Sequence, residues 1–376
     1  MICNYYTQNI CRSCTLLELG AEQSFIYKTN KARVILADYI HSANEEPGVF
    51  IKSPSGSRHK IKFIVNGISN EPRFGIVDHS GNFTILEECP IHNPLLNDLL
   101  PLLKEAISKF ELTIYNIQNR TGELKAVLIS SNFDSSEIIV RLVLRSKNLL
   151  DRSEKVLSYL ASVNSCIKVT SVNIQPVPHA ILEGTEEIIL SSNLFITENF
   201  NDIKLCFDPK SFMQVTPTVA QQLYQTASLW VCDYKQDSIL DLYCGVGGFA
   251  LHVAKFCNNV TGIESSPWAI YCARTAAKLN KFDNCDFIDN DLETYPLNTK
   301  VDTLIVNPPR RGLSENVLSF INKTNPQTII YSSCNVVSLV ENLKLCSKHY
   351  RISKFKFFDM FPLTEHLECL VQLDLK

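Results

Sequence analysis

The sequence predicts an α/β protein in which a β-rich α+β half precedes a half built on a parallel sheet. The first observation is that apolar, strand-like segments alternate with helical segments from about residue 205 to the C-terminus, as in a parallel sheet covered by helices on both faces. The second is that short β-rich segments, broken by turn residues, fill the stretch from about residue 50 to 200. We therefore expect two domains, at residues 1–204 and 205–376.

Composition and charge exclude several classes of protein. The 376 residues are 45% hydrophobic and 20% charged, which is typical of a globular chain rather than a disordered or fibrous one. The formal net charge is −3, so any surface that binds a polyanion has to be a local patch. The sequence contains neither an apolar run long enough to span a membrane nor a signal peptide at its start. Fourteen cysteines without an export signal favour a reducing compartment, the cytoplasm.

Seven strands are predicted in the C-terminal half. They cover residues 238–244, 259–265, 285–291, 302–307, 328–334, 352–361 and 366–375. Only four residues separate the last two strands, which is too few for a crossover, so these two strands must pair antiparallel. Five parallel strands followed by such a hairpin resemble the S-adenosylmethionine-dependent methyltransferases rather than the dehydrogenases. In the other half, helices are predicted near residues 95–110 and 151–163.

The first of these strands ends in a glycine-rich turn, with the sequence DLYCGVGG at residues 241–248. Glycine adopts positive φ and lets the backbone approach a ligand closely. The spacing D-x-x-x-G-x-G-G differs from the G-x-G-x-x-G of dinucleotide-binding proteins, so a bound pyrophosphate is not expected. By itself, such a turn indicates a tight structural corner as readily as a ligand site.

Acidic residues strengthen the case for a ligand. Glu264 ends the second strand, 23 residues after Asp241, and a carboxylate there can accept hydrogen bonds from both hydroxyls of a ribose. Asp291 closes the third strand, where it is placed to receive an adenine amino group. Acids on three successive strands favour a nucleoside ligand over a merely solvated face.

The fourth strand ends in NPPRRG at residues 307–312. The two prolines hold the backbone extended and aim Asn307 into the crevice beyond the strand ends. In the amino-methyltransferases, Tyr or Phe follows N-P-P and stacks on the target base, whereas here Arg310 follows and disfavours that chemistry. Arg310 and Arg311 suit a phosphate, although a solvated turn is the alternative.

Two further residues have the chemistry of a reactive pair. The fifth strand delivers Cys334 to the same edge of the sheet. A thiolate there can add to an electrophilic carbon if a cation such as Arg310 lowers the pKa of the thiol; the alternative is a buried core cysteine. Glu368, in the last strand, is either a general base or a carboxylate exposed at the rim of the sheet.

These motifs together resemble those of the RNA uracil-C5 methyltransferases. The resemblance runs over essentially the whole chain and includes SSCN at 332–335, HLE at 366–368 and the F-x-Q motif at 212–214. It departs from the family at Thr216, where Asn is more common, at Asn307, where several branches have Asp, and at Tyr243, where Phe is common. It implies S-adenosylmethionine as the cofactor, with contacts from Gln214, Tyr243, Gly245, Glu264, Asp291 and Asn307.

The same resemblance implies a covalent mechanism. Cys334 adds to C6 of uracil, C5 takes the methyl group, and Glu368 then removes the C5 proton before the thiolate leaves. The DNA cytosine-C5 enzymes share this logic but have Pro before the cysteine, whereas Ser333 precedes it here.

Four cysteines form a candidate metal site. Cys3, Cys11 and Cys14 give the spacing C-x7-C-x2-C, and Cys89 is followed by a proline. Four thiolates suit zinc or an iron–sulfur cluster equally on geometry. The resemblance to the family favours a [4Fe–4S] cluster, which we expect to link the N-terminus to residue 89 rather than to act as a redox centre.

Cationic strands in the N-terminal half predict an RNA surface. Arg58, Lys60 and Lys62 fall on one face of a predicted strand. Arg141 and Arg145 are predicted to face outward from another. Two strands with one-sided cations favour phosphate contacts, although a solvated sheet face is the alternative for either strand alone.

The resemblance also bears on the substrate. Some family members begin with an OB-type TRAM module, for which this chain leaves no room before the cysteines. With CRSC at 11–14 and NPPRRG, the chain most resembles the branch that forms 5-methyluridine at nucleotide 747 of bacterial 23S rRNA. The alternatives are tRNA as the substrate, or a catalytically idle iron–sulfur protein that binds RNA. We expect a monomer that needs neither a membrane nor a protein partner.

Overall fold

Two compact units make up the chain. A computed structural model describes residues 1–78, 81–177, 182–233, 236–297, 299–346 and 348–376. One unit comprises Met1–Ser13 and Ser55–Glu198, and the other comprises Cys14–Pro54 and Asn199–Lys376. The division predicted at residue 204 lies near the last of these boundaries. Residues 14–54 differ from the prediction, because they are part of the C-terminal unit.

Helices and strands alternate through most of the C-terminal half. The helices are α1 (Asn4–Thr7), α2 (Gly20–Ile40), α3 (Pro94–Asn97), α4 (Leu99–Lys109), α5 (Leu150–Val163), α6 (Pro217–Cys232), α7 (Gly248–Val253), α8 (Pro267–Asn280), α9 (Glu315–Thr324) and α10 (Val336–Cys346). The strands are β1 (Asn44–Glu45), β2 (Lys60–Ile68), β3 (Glu71–Val77), β4 (Phe83–Ile85), β5 (Leu124–Ser131), β6 (Ile138–Leu144), β7 (Ile167–Ile174), β8 (Glu186–Ile189), β9 (Ile196–Phe200), β10 (Ile203–Phe207), β11 (Gln236–Leu242), β12 (Cys257–Glu264), β13 (Cys285–Asp289), β14 (Thr303–Val306), β15 (Thr328–Ser333), β16 (Tyr350–Phe358) and β17 (Glu368–Leu375). Within the described residues, every helix is too short or too polar to cross a membrane.

An eight-stranded sheet forms the centre of the C-terminal unit, in the order β1-β16-β17-β15-β14-β11-β12-β13. Strands β11 to β15 pair parallel, while β17 lies antiparallel between β15 and β16. The predicted five parallel strands and antiparallel hairpin are confirmed. The strand order reverses at β11, whose neighbours are β14 and β12, and ligands of such sheets bind beyond the carboxyl ends of the strands at this kind of switch point.

The central strands are apolar because both of their faces are covered. Every residue of β14 and β15 is buried, as expected for parallel strands between two layers of helices. Six of the seven predicted strands end one to three residues earlier than predicted, among them β13, which ends at Asp289, and β15, which ends at Ser333. Asp291 and Cys334 therefore lie in loops beyond the sheet, where their side chains are available to a ligand.

Residues 14–54 add a long helix and a short strand to the C-terminal unit. The buried face of α2 includes Phe25, Ala32 and Leu36, which join the core beside the sheet, and β1 pairs parallel with β16. Helix α2 was not predicted from the sequence. Its inner face also carries polar side chains, among them the buried Lys28, and these interrupt the apolar periodicity that marks an amphipathic helix.

The N-terminal unit contains a seven-stranded sheet in the order β4-β3-β2-β5-β6-β7-β8. Its neighbouring strands are antiparallel except for β6 and β7, which are parallel and are connected through α5. Helices α4 and α5 contribute apolar side chains to the same core as the strands. The helices predicted near 95–110 and 151–163 are confirmed, the first of them divided into α3 and α4.

The prediction that Arg141 faces outward from its strand is wrong. All seven residues of β6 are buried, and the Arg141 side chain is 1% exposed, with ion pairs to Glu183 and Glu187. Because β6 lies inside the sheet and is covered on both faces, alternate positions along it do not separate a solvent-exposed face from a buried one. Arg145 pairs with Glu123 at 2.8 Å, so both cations of this strand are already neutralised within the protein.

The alternation predicted for β2 is confirmed. Ile61, Phe63 and Val65 are buried, whereas Lys62 is exposed and pairs with Glu183 at 2.5 Å. Arg58 and Lys60 are partly exposed at the start of this strand. Because the Lys62 side chain is 44% exposed and that of Arg141 only 1%, the cationic face of β2 is the better candidate of the two for an RNA surface.

Candidate active site

The residues predicted to bind the cofactor and to react line a single cavity of the C-terminal unit. The cavity has a volume of about 570 Å³ and is bordered by the carboxyl ends of β11, β12, β14 and β15. All eight predicted residues line it: Gln214, Tyr243, Gly245, Glu264, Asp291, Asn307, Cys334 and Glu368. The fold thus brings together side chains from widely separated parts of the sequence.

The glycine-rich turn after β11 forms one wall of the cavity. Tyr243, Gly245 and Gly247 all have positive φ, at 62°, 54° and 82°, a region that glycine occupies without strain. A Cβ on Gly245 would meet no atom of the described residues within 4 Å, so the backbone there borders open space. The Tyr243 hydroxyl accepts a hydrogen bond from the Ser314 amide at 3.2 Å, which anchors the side chain of the one non-glycine residue among the three.

Asp241 supports the turn and does not line the cavity. Its carboxylate is fully buried and accepts a hydrogen bond from the Ala250 amide of α7 at 2.9 Å. Its other oxygen has no hydrogen-bond partner among the described residues. Burial, together with the negative charge of Glu264, raises the pKa of Asp241 to about 8. Asp241 therefore fixes the turn against α7 and leaves contact with a ligand to its neighbours.

Glu264 is the last residue of β12 and is tied to the same turn. Its Oε2 accepts a hydrogen bond from the Gly245 amide at 3.3 Å. Its Oε1 accepts from the Ser266 amide at 3.0 Å and from the Ser265 hydroxyl at 3.1 Å. A carboxylate offers about four acceptor positions, so Glu264 keeps acceptor capacity toward the cavity that it lines.

Asp291 and Asn307 lie on the loops that follow β13 and β14. The Asp291 side chain accepts a hydrogen bond from the Glu293 amide at 3.0 Å, which makes a local turn. The backbone amide of Asn307 donates a hydrogen bond to the Leu242 carbonyl at 3.5 Å. This contact connects the N-P-P segment to the end of β11. Asn307 and the two prolines after it all border the cavity, as the extended backbone of this segment predicts.

The F-x-Q segment also borders the cavity. Gln214 is buried at 7% exposure, whereas Phe212 is 66% exposed. Asp208 stabilises the segment, because its carboxylate accepts hydrogen bonds from the Ser211 hydroxyl and from the Lys210 amide. The segment therefore presents the buried side-chain amide of Gln214 and the exposed ring of Phe212 to the cavity.

Thr216 replaces the Asn that is more common in this position. Its hydroxyl donates a hydrogen bond to the Met360 carbonyl at 2.9 Å. Met360 lies in the connection between β16 and β17, so Thr216 links the F-x-Q segment to the strand pair that carries Glu368. The substitution thus keeps a polar contact at this position.

Cys334 follows β15 directly and lies half-buried in the cavity wall. Burial, and then the charge of Glu368, raise the pKa of its thiol, whereas Arg310 lowers it. The expected lowering by Arg310 is therefore present but outweighed, and the resting thiol is protonated at neutral pH. Arg310 itself contacts His366 Nε2 at 3.2 Å, and its carbonyl accepts a hydrogen bond from the Asn335 side chain at 3.0 Å.

Glu368 is the first residue of β17 and is buried, at 3% exposure. The Ser332 hydroxyl donates a hydrogen bond to its Oε1 at 2.5 Å. Burial raises the pKa of Glu368 to about 7, and the bond from Ser332 partly offsets this shift. The alternative of a carboxylate exposed at the rim of the sheet is wrong. A carboxyl group that titrates near neutral pH is suited to take up a proton during a reaction.

No role was predicted from the sequence for Ser332, Tyr224 or Phe361. Tyr224 and Phe361 line the cavity, and Phe361 packs edge-on against His366 with ring centroids 5.7 Å apart. The sequence feature that could have indicated a role for Ser332 is a hydroxyl near the end of an apolar strand. The two aromatic residues gave no signal, because aromatic side chains are ordinary in a core.

The structure does not assemble the four predicted metal ligands into a metal site. Cys3, Cys11 and Cys89 belong to the N-terminal unit and Cys14 to the C-terminal unit. Across the ranges that the structure describes, no group of three or more His, Cys, Asp or Glu side chains is arranged to hold a metal ion. Burial raises the pKa of the Cys89 thiol, and the nearby thiols of Cys3 and Cys11 raise it further. These three cysteines are therefore neighbours, and the metal site stays a prediction.

Known proteins resemble the chain over nearly its whole length. The methyltransferase small domain family matches residues 220–325, and the tRNA (uracil-5-)-methyltransferase family matches residues 289–376. Proteins named 23S rRNA (uracil(747)-C(5))-methyltransferase RlmC, from Shewanella sp. (strain MR-7) and Shewanella oneidensis, are each 38% identical to this chain. The similarity covers 99% of this chain and 98% and 97% of those proteins, respectively. The chain belongs to the RNA uracil-C5 methyltransferase family.

This uracil-C5 methyltransferase also resembles a solved structure, that of Pyrococcus abyssi tRNA (uracil-54, C5)-methyltransferase in complex with S-adenosyl-L-homocysteine. The two chains are 26% identical, with a TM-score of 0.79. The similarity covers 96% of this chain and 85% of the other. It therefore includes both compact units and confirms the Rossmann-like methyltransferase fold.

Proposed function

We propose that this protein methylates C5 of the uracil at nucleotide 747 of 23S rRNA, with S-adenosylmethionine as the methyl donor. The observation that carries the proposal is the cavity of the C-terminal unit, where Cys334 and the buried Glu368 border the same space as the glycine-rich turn. The relatives named for nucleotide 747 support this substrate. The solved relative is named for tRNA, which is the alternative substrate.

The donor groups of the cavity fit S-adenosylmethionine, which when bound supplies an electrophilic methyl group. Glu264 would accept hydrogen bonds from the ribose hydroxyls, and Asp291 from the adenine amino group. Gly245 leaves open space beside the turn. Gln214 and Asn307 carry side-chain amides that both donate and accept, which suits the carboxylate and amino groups of the methionine part.

Cys334 and Glu368 divide the reaction on the uracil ring between them. The sulfur of Cys334 forms a bond to C6, and the electron pair of the C5–C6 double bond moves toward C5, which becomes nucleophilic. Once methylated, C5 carries the new methyl group together with its original hydrogen. Glu368 takes that hydrogen as a proton, the C5–C6 double bond re-forms, and the sulfur leaves as the thiolate.

The charges around the two residues suit these steps. Arg310 favours the thiolate of Cys334, which forms when the thiol releases its proton to solvent, so that Glu368 stays ionised for the later step. An ordinary glutamate titrates at about 4.3, so a Glu368 with a pKa of about 7 is a markedly stronger base. Its burial also keeps water away from the proton that it has to take.

Methyl transfer from radiolabelled S-adenosylmethionine to defined RNAs tests the proposal. A 23S rRNA fragment that spans nucleotide 747 should be labelled, and a matched fragment with cytidine at that position should not. Equal labelling of both fragments would show that another uridine is the target, and labelling of tRNA alone would establish the alternative substrate. No label in any RNA under anaerobic conditions would contradict an enzymatic function and favour an idle RNA-binding protein.

We also propose that a [4Fe–4S] cluster binds the four predicted thiols, Cys3, Cys11, Cys14 and Cys89. Their spacing supports the cluster, as does the proximity of Cys3 and Cys11 to Cys89. The Tyr5 hydroxyl accepts a hydrogen bond from the Glu88 amide at 3.1 Å, so the N-terminal segment already lies beside the segment that carries Cys89. The cluster would serve as a structural link between these segments.

Two broader expectations accompany these proposals. We place the protein in the cytoplasm, because its fourteen cysteines suit a reducing compartment. We expect the protein to act as a monomer, because the proposed chemistry needs no second copy.

A further inference from the structure

A buried ion pair lies close to the proposed active site and takes no part in the bond-forming and proton-transfer steps proposed for Cys334 and Glu368. Lys28 in α2 pairs with Asp359, which follows β16, with 2.5 Å between Nζ and Oδ1. Their side chains are 1% and 0% exposed. The second oxygen of Asp359 has no hydrogen-bond partner among the described residues, so Lys28 is its main source of compensation.

The Lys28 ammonium also binds both ends of one loop. Its Nζ donates hydrogen bonds to the Phe361 carbonyl at 3.2 Å and to the His366 carbonyl at 3.1 Å. An ammonium group has three protons, so each of its protons has one acceptor. Lys28 therefore fixes the beginning and the end of residues 359–366, which form all but the last residue of the connection between β16 and β17; we call them the 359–366 loop.

This loop leads directly into the active site. Phe361 lines the cavity, and His366 contacts Arg310, whose charge lowers the pKa of Cys334. Glu368 follows His366 after a single residue. A shift of the 359–366 loop would therefore move the proposed base and would also loosen the support of the cation beside the nucleophile.

Stability alone does not explain a buried ion pair at this position. Removing two charges from water costs more free energy than packing two apolar side chains of the same volume, so an apolar pair often serves stability equally well or better. An apolar side chain in place of Lys28 could not donate to the two loop carbonyls. The contribution of Lys28 that an apolar side chain could not replace is therefore the geometry of the loop.

We propose that Lys28 is a positioning residue for the methyltransferase reaction, which acts by holding the 359–366 loop so that Glu368 and the His366–Arg310 pair stand in their working positions. The inference rests on the proposed function. It assigns to residues 14–54 a task in the chemistry of the C-terminal unit, beyond their contribution to its core.

The test compares Lys28→Met with Lys31→Met in the full-length protein. Lys31 lies one turn further along α2 and pairs with Glu365 of the same loop at 2.7 Å, but this pair is exposed, so Lys31→Met is a matched control.

Lys28→Met should lower kcat about 100-fold, the cost of a displacement of about 1 Å in a catalytic group. The KM for S-adenosylmethionine should stay within about twofold, because the residues assigned to that cofactor lie outside the loop, and Lys31→Met should resemble the wild type in both constants. Under single-turnover conditions, Lys28→Met should also accumulate the covalent RNA adduct, because removal of the C5 proton is slowed.

A second variant separates positioning from charge compensation. Lys28→Met together with Asp359→Asn removes the unpaired buried charge, so this variant should regain thermal stability relative to Lys28→Met while kcat stays low. Recovery of kcat in the double variant would overturn the proposal, as would equal kcat in Lys28→Met and Lys31→Met when the wild type is active. An inactive wild type on every RNA would instead contradict the proposed function.

Discussion

At the scale of single residues, the site depends on a carboxyl group that is buried and still available to react. Burial raises the pKa of Glu368 to about 7, and the Ser332 hydroxyl moderates this shift. The charge of Glu368 in turn raises the pKa of Cys334. The ionised Glu368 therefore opposes formation of the Cys334 thiolate, and Arg310 partly offsets this effect.

Glu368→Gln should trap the covalent adduct between protein and RNA. Glutamine keeps the shape and can accept the bond from Ser332, but it cannot take the C5 proton, so addition and methyl transfer proceed while elimination stalls. Turnover should fall at least about 100-fold, and denaturing electrophoresis should show a retarded band that contains the labelled methyl group. Cys334→Ala is the control and should give neither product nor adduct. Normal turnover in Glu368→Gln would remove the base assignment, and an adduct in Cys334→Ala would remove the nucleophile.

The rate of adduct decay should rise with pH and level off above about 7. Glu368 acts as a base only when ionised, and its pKa is about 7, so the active form is lost as the pH falls through that value. Ser332→Ala removes a hydrogen bond that lowers this pKa, so the inflection should move to higher pH. Ser333→Ala is the matched control, because that hydroxyl donates to the Asn335 carbonyl at 3.0 Å instead. An inflection that moves downward, or equally in both variants, would contradict this account of Glu368.

At the scale of elements, the glycine-rich turn is where backbone conformation limits function most directly. Gly247 has a φ of 82°, and a Cβ at this position would lie 3.0 Å from the ring of Phe287. The turn therefore combines a conformation that disfavours other residues with close packing against Phe287 of β13 and Ala273 of α8. A side chain at Gly247 would have to displace either the turn or the ring.

Gly247→Ala should weaken the binding of S-adenosylmethionine at least about tenfold and cost about 1–2 kcal/mol of stability, the penalty of a left-handed conformation. Gly20→Ala is the matched control, because Gly20 has a φ of 71° in the same unit but meets no described atom within 4 Å. Because its ψ is 176°, a conformation essentially restricted to glycine, this variant should show a strain penalty at least as large, without a change in cofactor affinity. Calorimetric titration and thermal melting measure the two effects, and equal affinities in the two variants would exclude the assigned role of the turn.

How far the sequence predicts these elements depends on local periodicity. The five parallel strands were predicted because each is an apolar run that ends in polar residues, and their shared edge brought the site residues together. The insertion of β17 between β15 and β16 was not predicted, and neither was the bond between Ser332 and Glu368 that it makes possible. Arg141 was assigned to the wrong environment because its partners Glu183 and Glu187 lie more than 40 residues away. Pairings over such distances leave no local pattern in the chain.

At the scale of the whole molecule, the proposed cluster predicts a visible property of the protein. Purified without oxygen, the protein should be brown, with the broad visible absorbance of an iron–sulfur thiolate site. Cys89→Ser should remove the colour and lower the melting temperature of the N-terminal unit. Cys166→Ser is the matched control, since Cys166 is also half-buried in that unit but lies outside the proposed ligand set. A colourless wild-type protein that contains one zinc ion would contradict the proposal.

The C-terminal unit is assembled from two distant stretches of chain, Cys14–Pro54 and Asn199–Lys376, and this has a consequence during synthesis. A ribosome that makes the chain from its N-terminus adds Lys28 331 residues before Asp359. At about 5–20 residues per second, the interval between them is roughly 17–66 s. Throughout that time the nascent helix exposes Phe25 and Leu36, because the strand against which they pack is among the last to be translated. The first helix of the catalytic unit is thus an exposed apolar segment to which chaperones can bind during synthesis. The unit can complete its folding only when the final strands have left the ribosome.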